Sequence, residues 1–132
     1  MNLSNEEKRA TISFRLQKAI NTLEEADGNL NMGYWSVVAN RLYYACFYAV
    51  SALLIQNNLY AKSHSGTISL FGLHIVMKNL ISKDFAKLYS KLFEMRQTGD
   101  YDDIYLLSEN DVSPLIQPTK DFVATICKLL EN

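Results

Sequence analysis

From Leu42 to Ile55 the chain reads LYYACFYAVSALLI, a run in which only Ser51 breaks the apolar and aromatic character. Wound as a helix, this stretch is apolar on nearly every face, so other elements must surround it as a core helix or at an interface. Arg41 and Gln56 flank the run, which therefore falls short of the roughly 20 residues a bilayer demands. No membrane partner is expected from it. The rest of the chain has to supply amphipathic partners, and it has few of the signals of another fold class. Five glycines and two prolines in 132 residues are too few for the turns an all-β sandwich or barrel needs. At this length folding buries roughly two thirds of the unfolded chain's surface, enough for one core without disulfides or structural metal.

Heptad-like spacing supplies those partners. Ser4 and Glu7 have capping-box spacing, and Ile12, Leu16, Ala19, Ile20, Leu23 and Ala26 recur at threes and fours, predicting a first helix over about 5–27. The breakers in GNLNMG, residues 28–33, predict a short connection to a second helix over about 34–57. A shorter helix is expected over about 67–77. A fourth, starting near Ser82 or Lys83 and ending near Gly99, carries Phe85, Leu88, Tyr89, Leu92 and Phe93 on one face and Lys83, Lys87 and Lys91 on another. Ser108 or Ser113 should cap a last helix with the stripe Ile116, Val123, Ile126, Cys127 and Leu130. Pro114 suits its first turn, and Pro118 should kink or delay it. The expected architecture is all-α, an up-and-down four-helix bundle core with an additional short helix, in one domain spanning 1–132.

The formal net charge is −1, with 13 Lys+Arg against 14 Asp+Glu, which argues against a generally basic protein that coats nucleic acid. The balance is uneven along the chain. Residues 62–96 hold six Lys/Arg and two Asp/Glu, a balance of +4, while residues 97–132 hold two against seven, a balance of −5. These stretches are expected to pack together and attract each other; the alternative is a basic face that meets RNA, a nucleotide or an acidic partner. Cys46 and Cys127 lie far apart in apolar stretches, as reduced core residues do. The acidic N-terminal segment does not look like a signal peptide. A cytoplasmic location is expected.

Arg41, Tyr44 and Tyr48 fall at i, i+3 and i+7, placing a guanidinium beside two phenols in the most apolar part of the chain. An unpaired buried cation is costly and Arg keeps its proton, so a carboxylate must approach it. Asp100, Asp102 and Asp103 are the candidates, and the group is expected to fix the corner at Gly99, Asp100 and Tyr101. His64, between Ser63 and Ser65 and close to Lys62, Gly66 and Thr67, stands where cationic, hydroxyl and backbone donors meet a helix start, a natural anion site. Capping by Ser63 or Ser65 explains the same residues without a ligand. His74, in the apolar stretch Phe71 to Met77, reads as a partly buried packing residue with a hydrogen bond. The two histidines have no clustered Cys or carboxylate, and neither a metal site nor a cofactor is expected. GxxxxGK[ST], GxSxG, HExxH and GxGxxG are all absent.

Three segments together, RLYYACFYAVSALL, KSHSG leading into a Phe71-containing helix, and RQTGDYDD at 96–103, resemble the HEPN domain (higher eukaryotes and prokaryotes nucleotide-binding). The resemblance spans nearly the whole chain. It implies a helical bundle, usually a homodimer, encoded beside a minimal nucleotidyltransferase; such pairs often act as toxin and antitoxin, and many HEPN toxins are metal-independent ribonucleases. In those nucleases an Arg is followed after four to six residues by His. Arg96 occupies the position of the motif arginine, but Tyr101, Asp102 and Asp103 stand five, six and seven residues beyond it, and Arg9, Arg15 and Arg41 also lack a His at those offsets. RNA self-cleavage needs a base for the 2′-hydroxyl and an acid for the leaving oxygen, roles a His near pKa 6.5 fills at neutral pH. Tyr101, near pKa 10, is a poor base. Arg96 can still hold a phosphate in bidentate fashion. The resulting expectation is a HEPN-like helical dimer that binds a nucleotide, RNA or a nucleotidyltransferase partner through Arg96, Tyr101, Lys62, Ser63 and His64, with catalysis disfavoured. Its alternatives are an active ribonuclease toxin using Arg96 with His64 or Tyr101, and a non-catalytic protein-interaction module.

Overall fold

A computed structural model describes residues 3–101 and 107–131; the side chains of residues 97–101 are outside the description. The apolar run forms α2 (Trp35–Gln56), and the other elements pack around it: α1 (Asn5–Leu30), α3 (His64–Phe71), α4 (Lys83–Tyr101), the one-turn α5 (Glu109–Val112) and α6 (Ile116–Leu130). Twelve residues of α2 are buried, from Val38 to Ile55. By length and composition α2 could cross a membrane, but 67% of its most apolar window is buried within the bundle. Being surrounded by α1, α4 and α6 explains why it is apolar all round. The architecture is the expected all-α, up-and-down bundle with a short additional helix, and no strand occurs among the described residues.

Local chemistry accounts for most boundaries. The capping box at the start of α1 is present: Ser4 Oγ accepts from the Glu7 N–H at 3.1 Å, and Glu7 Oε1 accepts from the Ser4 N–H at 3.3 Å. The helix runs three residues beyond its expected end at Asp27, because Gly28 and Asn29 are tolerated in the last turn. Reversal is left to Gly33, whose φ of +71° is a conformation that other residues adopt only with strain. At the far end of α2, Asn58 takes the left-handed conformation (φ 60°) and its N–H bonds the Ile55 carbonyl at 3.0 Å, closing the helix.

The third helix begins at His64, earlier than the expected Thr67, and passes into a π turn at Gly72–Val76. There the Met77 N–H bonds the Gly72 carbonyl at 2.9 Å, and both Ile75 and Val76 reach the core. Ser108 caps α5, and a 3-10 turn at Ser113–Leu115 containing Pro114 precedes α6. Pro118 sits third in α6, where the backbone N–H would have had no helical acceptor. The α-helix proper starts only at Ile116, after the 3-10 turn, which is the expected delay. The buried face of α6 is centred on Thr119, Phe122, Val123 and Ile126; Ile116, Cys127 and Leu130 of the expected stripe are only half-buried. The buried threonines Thr22, Thr67 and Thr119 each donate to the carbonyl four residues back, which satisfies their hydroxyls inside the bundle.

Candidate functional site

The start of α3 is set by Ser63, whose Oγ accepts from the Gly66 N–H at 2.9 Å while its carbonyl accepts from the Thr67 hydroxyl. Ser63 is thus a helix cap, and Lys62 beside it is exposed. His64, expected three residues ahead of a helix starting near Thr67, is the first residue of α3 and is turned toward the middle of α2. Its ring lies 4.5 Å from that of Phe47 and 5.7 Å from those of Tyr43 and Tyr44, and its Nδ1 is 2.6 Å from the Tyr43 hydroxyl.

Arg96, near the end of α4, approaches the same rings from another side. Its guanidinium carbon lies 5.6 Å from the Tyr43 centroid and 5.4 Å from that of Tyr44, within cation–π range. Two expected site residues, 32 positions apart in sequence, therefore meet at one aromatic platform. Tyr101 and Asp100 have backbone in α4, but their side chains, like the whole of Asp102 and Asp103, lie outside the described residues.

The electrostatics of the cluster follow from burial. Tyr43 is fully buried, and desolvation pushes its phenol well above the ordinary value, against the opposing pull of Arg96. It keeps its proton and can donate it to His64 Nδ1. The His64 imidazole is held below 6.5, first by desolvation and then by the Arg96 charge. With the Tyr43 hydroxyl as donor, the neutral ring accepts at Nδ1 and its proton is assigned to Nε2, which has no hydrogen-bond partner among the described residues. Behind Tyr43 the Tyr89 ring is stacked at 5.9 Å. Its fully buried hydroxyl lies short of hydrogen-bond geometry, and burial and then the Tyr43 phenol oppose its ionisation. The site offers one fixed cation, one neutral N–H donor and aromatic faces, a set suited to an anion attached to a flat group.

Arg41 has a carboxylate partner that the sequence did not name, while the side chains of the expected partners Asp100, Asp102 and Asp103 lie outside the described residues. Its guanidinium pairs with Glu25 of α1 at 3.1 Å and donates to Asn40 Oδ1 at 2.8 Å, with its side chain 27% exposed. The carboxylate comes from the neighbouring helix, which the hairpin between α1 and α2 brings alongside, and solvent supplies the rest. Arg41 does lie over Tyr44, at 5.2 Å, but Tyr48 is engaged by Lys18 of α1 at 4.8 Å. His74 is half-buried on the π turn and has no side-chain hydrogen bond among the described residues. Among those residues no three His, Cys, Asp or Glu side chains group as a metal site would require. Tyr43 and Phe47 were not singled out by sequence, since aromatic residues inside an apolar helix read as packing.

Comparison with known proteins identifies the family and the fold. A UPF0332 protein of Thermotoga maritima is 34% identical over 126 residues, covering 96% of each chain. A Methanocaldococcus jannaschii protein named "Putative toxin MJ0605" is 33% identical over 102 residues, covering 77% of this chain and 75% of its own. The crystal structure of TT1696 from Thermus thermophilus superposes with a TM-score of 0.73 at 15% identity, covering 89% of this chain and 96% of the other, a likeness of fold. The HEPN domain pattern matches residues 12–130. With nearly the whole chain matched, this protein belongs to the HEPN domain family.

Proposed function

We propose that this HEPN domain is the RNA- or nucleotide-binding component of a toxin–antitoxin-like pair, acting as a cytoplasmic homodimer with a minimal nucleotidyltransferase as partner. The observation that carries the reading is the convergence of Arg96 and His64 on the Tyr43 and Tyr44 rings. A phosphate would take the guanidinium and the His64 Nε2–H, and an adjoining base would stack on an aromatic face. Toxin-named relatives support the same setting.

A second reading, a metal-independent ribonuclease, is favoured by one feature: His64 is neutral and beside Arg96 without following it in sequence. To act as a base, His64 would have to shift its proton to Nδ1, with Tyr43 as acceptor, and expose a bare Nε2 to the 2′-hydroxyl. Fluorescence anisotropy with labelled single-stranded RNA, run beside incubation with total RNA, separates the two. Arg96→Ala should weaken binding by about tenfold or more, the scale of a lost charge-assisted pair, with unchanged far-UV circular dichroism. Unaltered affinity would reject the assignment. RNA fragments made by the native protein and lost in both Arg96→Ala and His64→Ala would establish the nuclease.

A further inference from the structure

On the opposite side of Phe47 in sequence from Tyr43 and Tyr44 of the platform, α1, α2, α3 and the irregular segment at 57–63 line a half-open cavity of about 290 Å³. That is near the lower limit for small-molecule sites. Its apolar wall is made by Phe47, Leu54, Ile55 and Leu59, and its polar edge by Arg15, Ser51 and Tyr60.

Arg15 is the unusual member. It is half-buried, yet it makes no ion pair or hydrogen bond among the described residues. Its own helix offers no carboxylate within reach, because positions three and four away on either side are Ile12, Thr11, Lys18 and Ala19. Elsewhere on the protein the cations Arg41 and Lys120 are paired with Glu25 and Asp27 of the same helix. Ser51 and Tyr60 likewise have no side-chain hydrogen bond among the described residues, whereas the Thr11 and Thr67 hydroxyls at the cavity donate to the Glu7 and Ser63 carbonyls.

We infer that this cavity is a binding site for a small amphiphilic anion, a carboxylate or phosphate head held by Arg15, Ser51 and Tyr60 above a compact apolar body packed on Phe47, Leu54 and Leu59. A partly desolvated guanidinium favours an anion over water, and a carboxylate or phosphate matches its fork. The apolar wall excludes a bare ion as the best ligand, since only an apolar body removes that surface from water. The site is separate from the Arg96 platform but adjoins it, as the Phe47 ring that lines the cavity lies 4.5 Å from His64.

Octanoate and octyl phosphate, below their aggregation concentrations, are the test ligands for the full chain, with 1-octanol and inorganic phosphate as the apolar-only and charge-only controls. Calorimetry gives affinity, and amide NMR titration gives the location. The expected result is saturable binding of one or both amphiphiles, at least about tenfold tighter than either control, with shifts at Arg15, Ser51 and Tyr60. The stronger of the two identifies the head group. Arg15→Gln should weaken that binding by about tenfold or more, and Ala61→Phe, which fills the cavity from an irregular segment, should abolish it. Absence of saturation, 1-octanol binding as tightly as octanoate, or unchanged affinity in either folded variant would overturn the proposal. So would dissociation of a dimer by Arg15→Gln with no probe bound, which would make this face an interface between copies. Should Arg15→Gln fail to fold, Ala61→Phe decides.

Discussion

Tyr43 and His64 determine the proton inventory of the platform. Burial and Arg96 both lower the His64 pKa, so the folded protein binds fewer protons than the unfolded chain in the window just below 6.5. Stability should therefore rise with pH through that window and be level, as far as His64 is concerned, above it. An NMR titration following the imidazole resonances should place His64 below 6.5, and Arg96→Gln should move it upward; a midpoint at or above 6.5 in the native protein would contradict the geometry. Tyr43→Phe keeps the ring but removes the 2.6 Å bond, and should cost about 1 kcal/mol by urea denaturation while freeing the His64 tautomer. Arg96 and His64 were each legible in the sequence, one from the motif position and the other from a polar segment at a helix start. They were grouped there as parts of one site, but their meeting on the Tyr43 and Tyr44 rings was not legible, because the 31 residues between them carry no spacing rule for how two helices meet a third.

The entry of α3 aims His64, and two residues control it. Ser63 Oγ caps the helix through the Gly66 N–H, and a Cβ built on Gly66 would stand 2.9 Å from that oxygen. Ser63→Ala should destabilise by about 1 kcal/mol, in the usual range for a lost cap. Gly66→Ala should act by displacing the same bond. The double variant should then cost less than the sum of the singles in thermal or urea melts, and full additivity would show that the two residues act independently. Elements of this kind were readable where the chemistry is local: the Ser4–Glu7 box, the start of α4 and the lysine face at 83, 87 and 91 all follow from residue spacing. The end of α1, the start of α3 and the π turn were misjudged, because glycine and polar residues signal a break without fixing which turn makes it.

At the scale of the molecule, Phe122 joins three helices. It is fully buried, stacked on Phe85 at 5.1 Å and in ring contact with Phe71 at 5.7 Å and Tyr89 at 6.2 Å. Phe122→Ala should destabilise by about 3–5 kcal/mol, a range set by transfer and cavity terms, and a loss below about 1 kcal/mol in urea denaturation would show that the site collapses around the gap. Charge is also organised globally. The −1 net charge conceals pairs between helices: Arg41 with Glu25, Lys120 with Asp27, and Lys91 near Asp111, whose carboxyl is held low first by the Ser108 hydrogen bonds and then by Lys91. Of these, only Lys91 near Asp111 joins the basic stretch to the C-terminal quarter. The DYDD segment, on which the rest of the expected attraction depends, falls outside the described residues beyond Tyr101.

By itself the sequence determined the fold class and its centre. An apolar run of fourteen residues with one polar interruption must be enclosed by amphipathic helices, and the periodicity of α1, α4 and α6 provided them. Tertiary structure alone decided which polar groups meet. Glu25 of α1 answers Arg41, Tyr43 binds His64, and Arg15 faces a cavity with no carboxylate partner among the described residues. The physical reason is range: burial of apolar surface depends on a pattern repeated along each helix, whereas a hydrogen bond or ion pair depends on distances of about 3 Å between helices, which emerge only after the core has fixed their relative rotation.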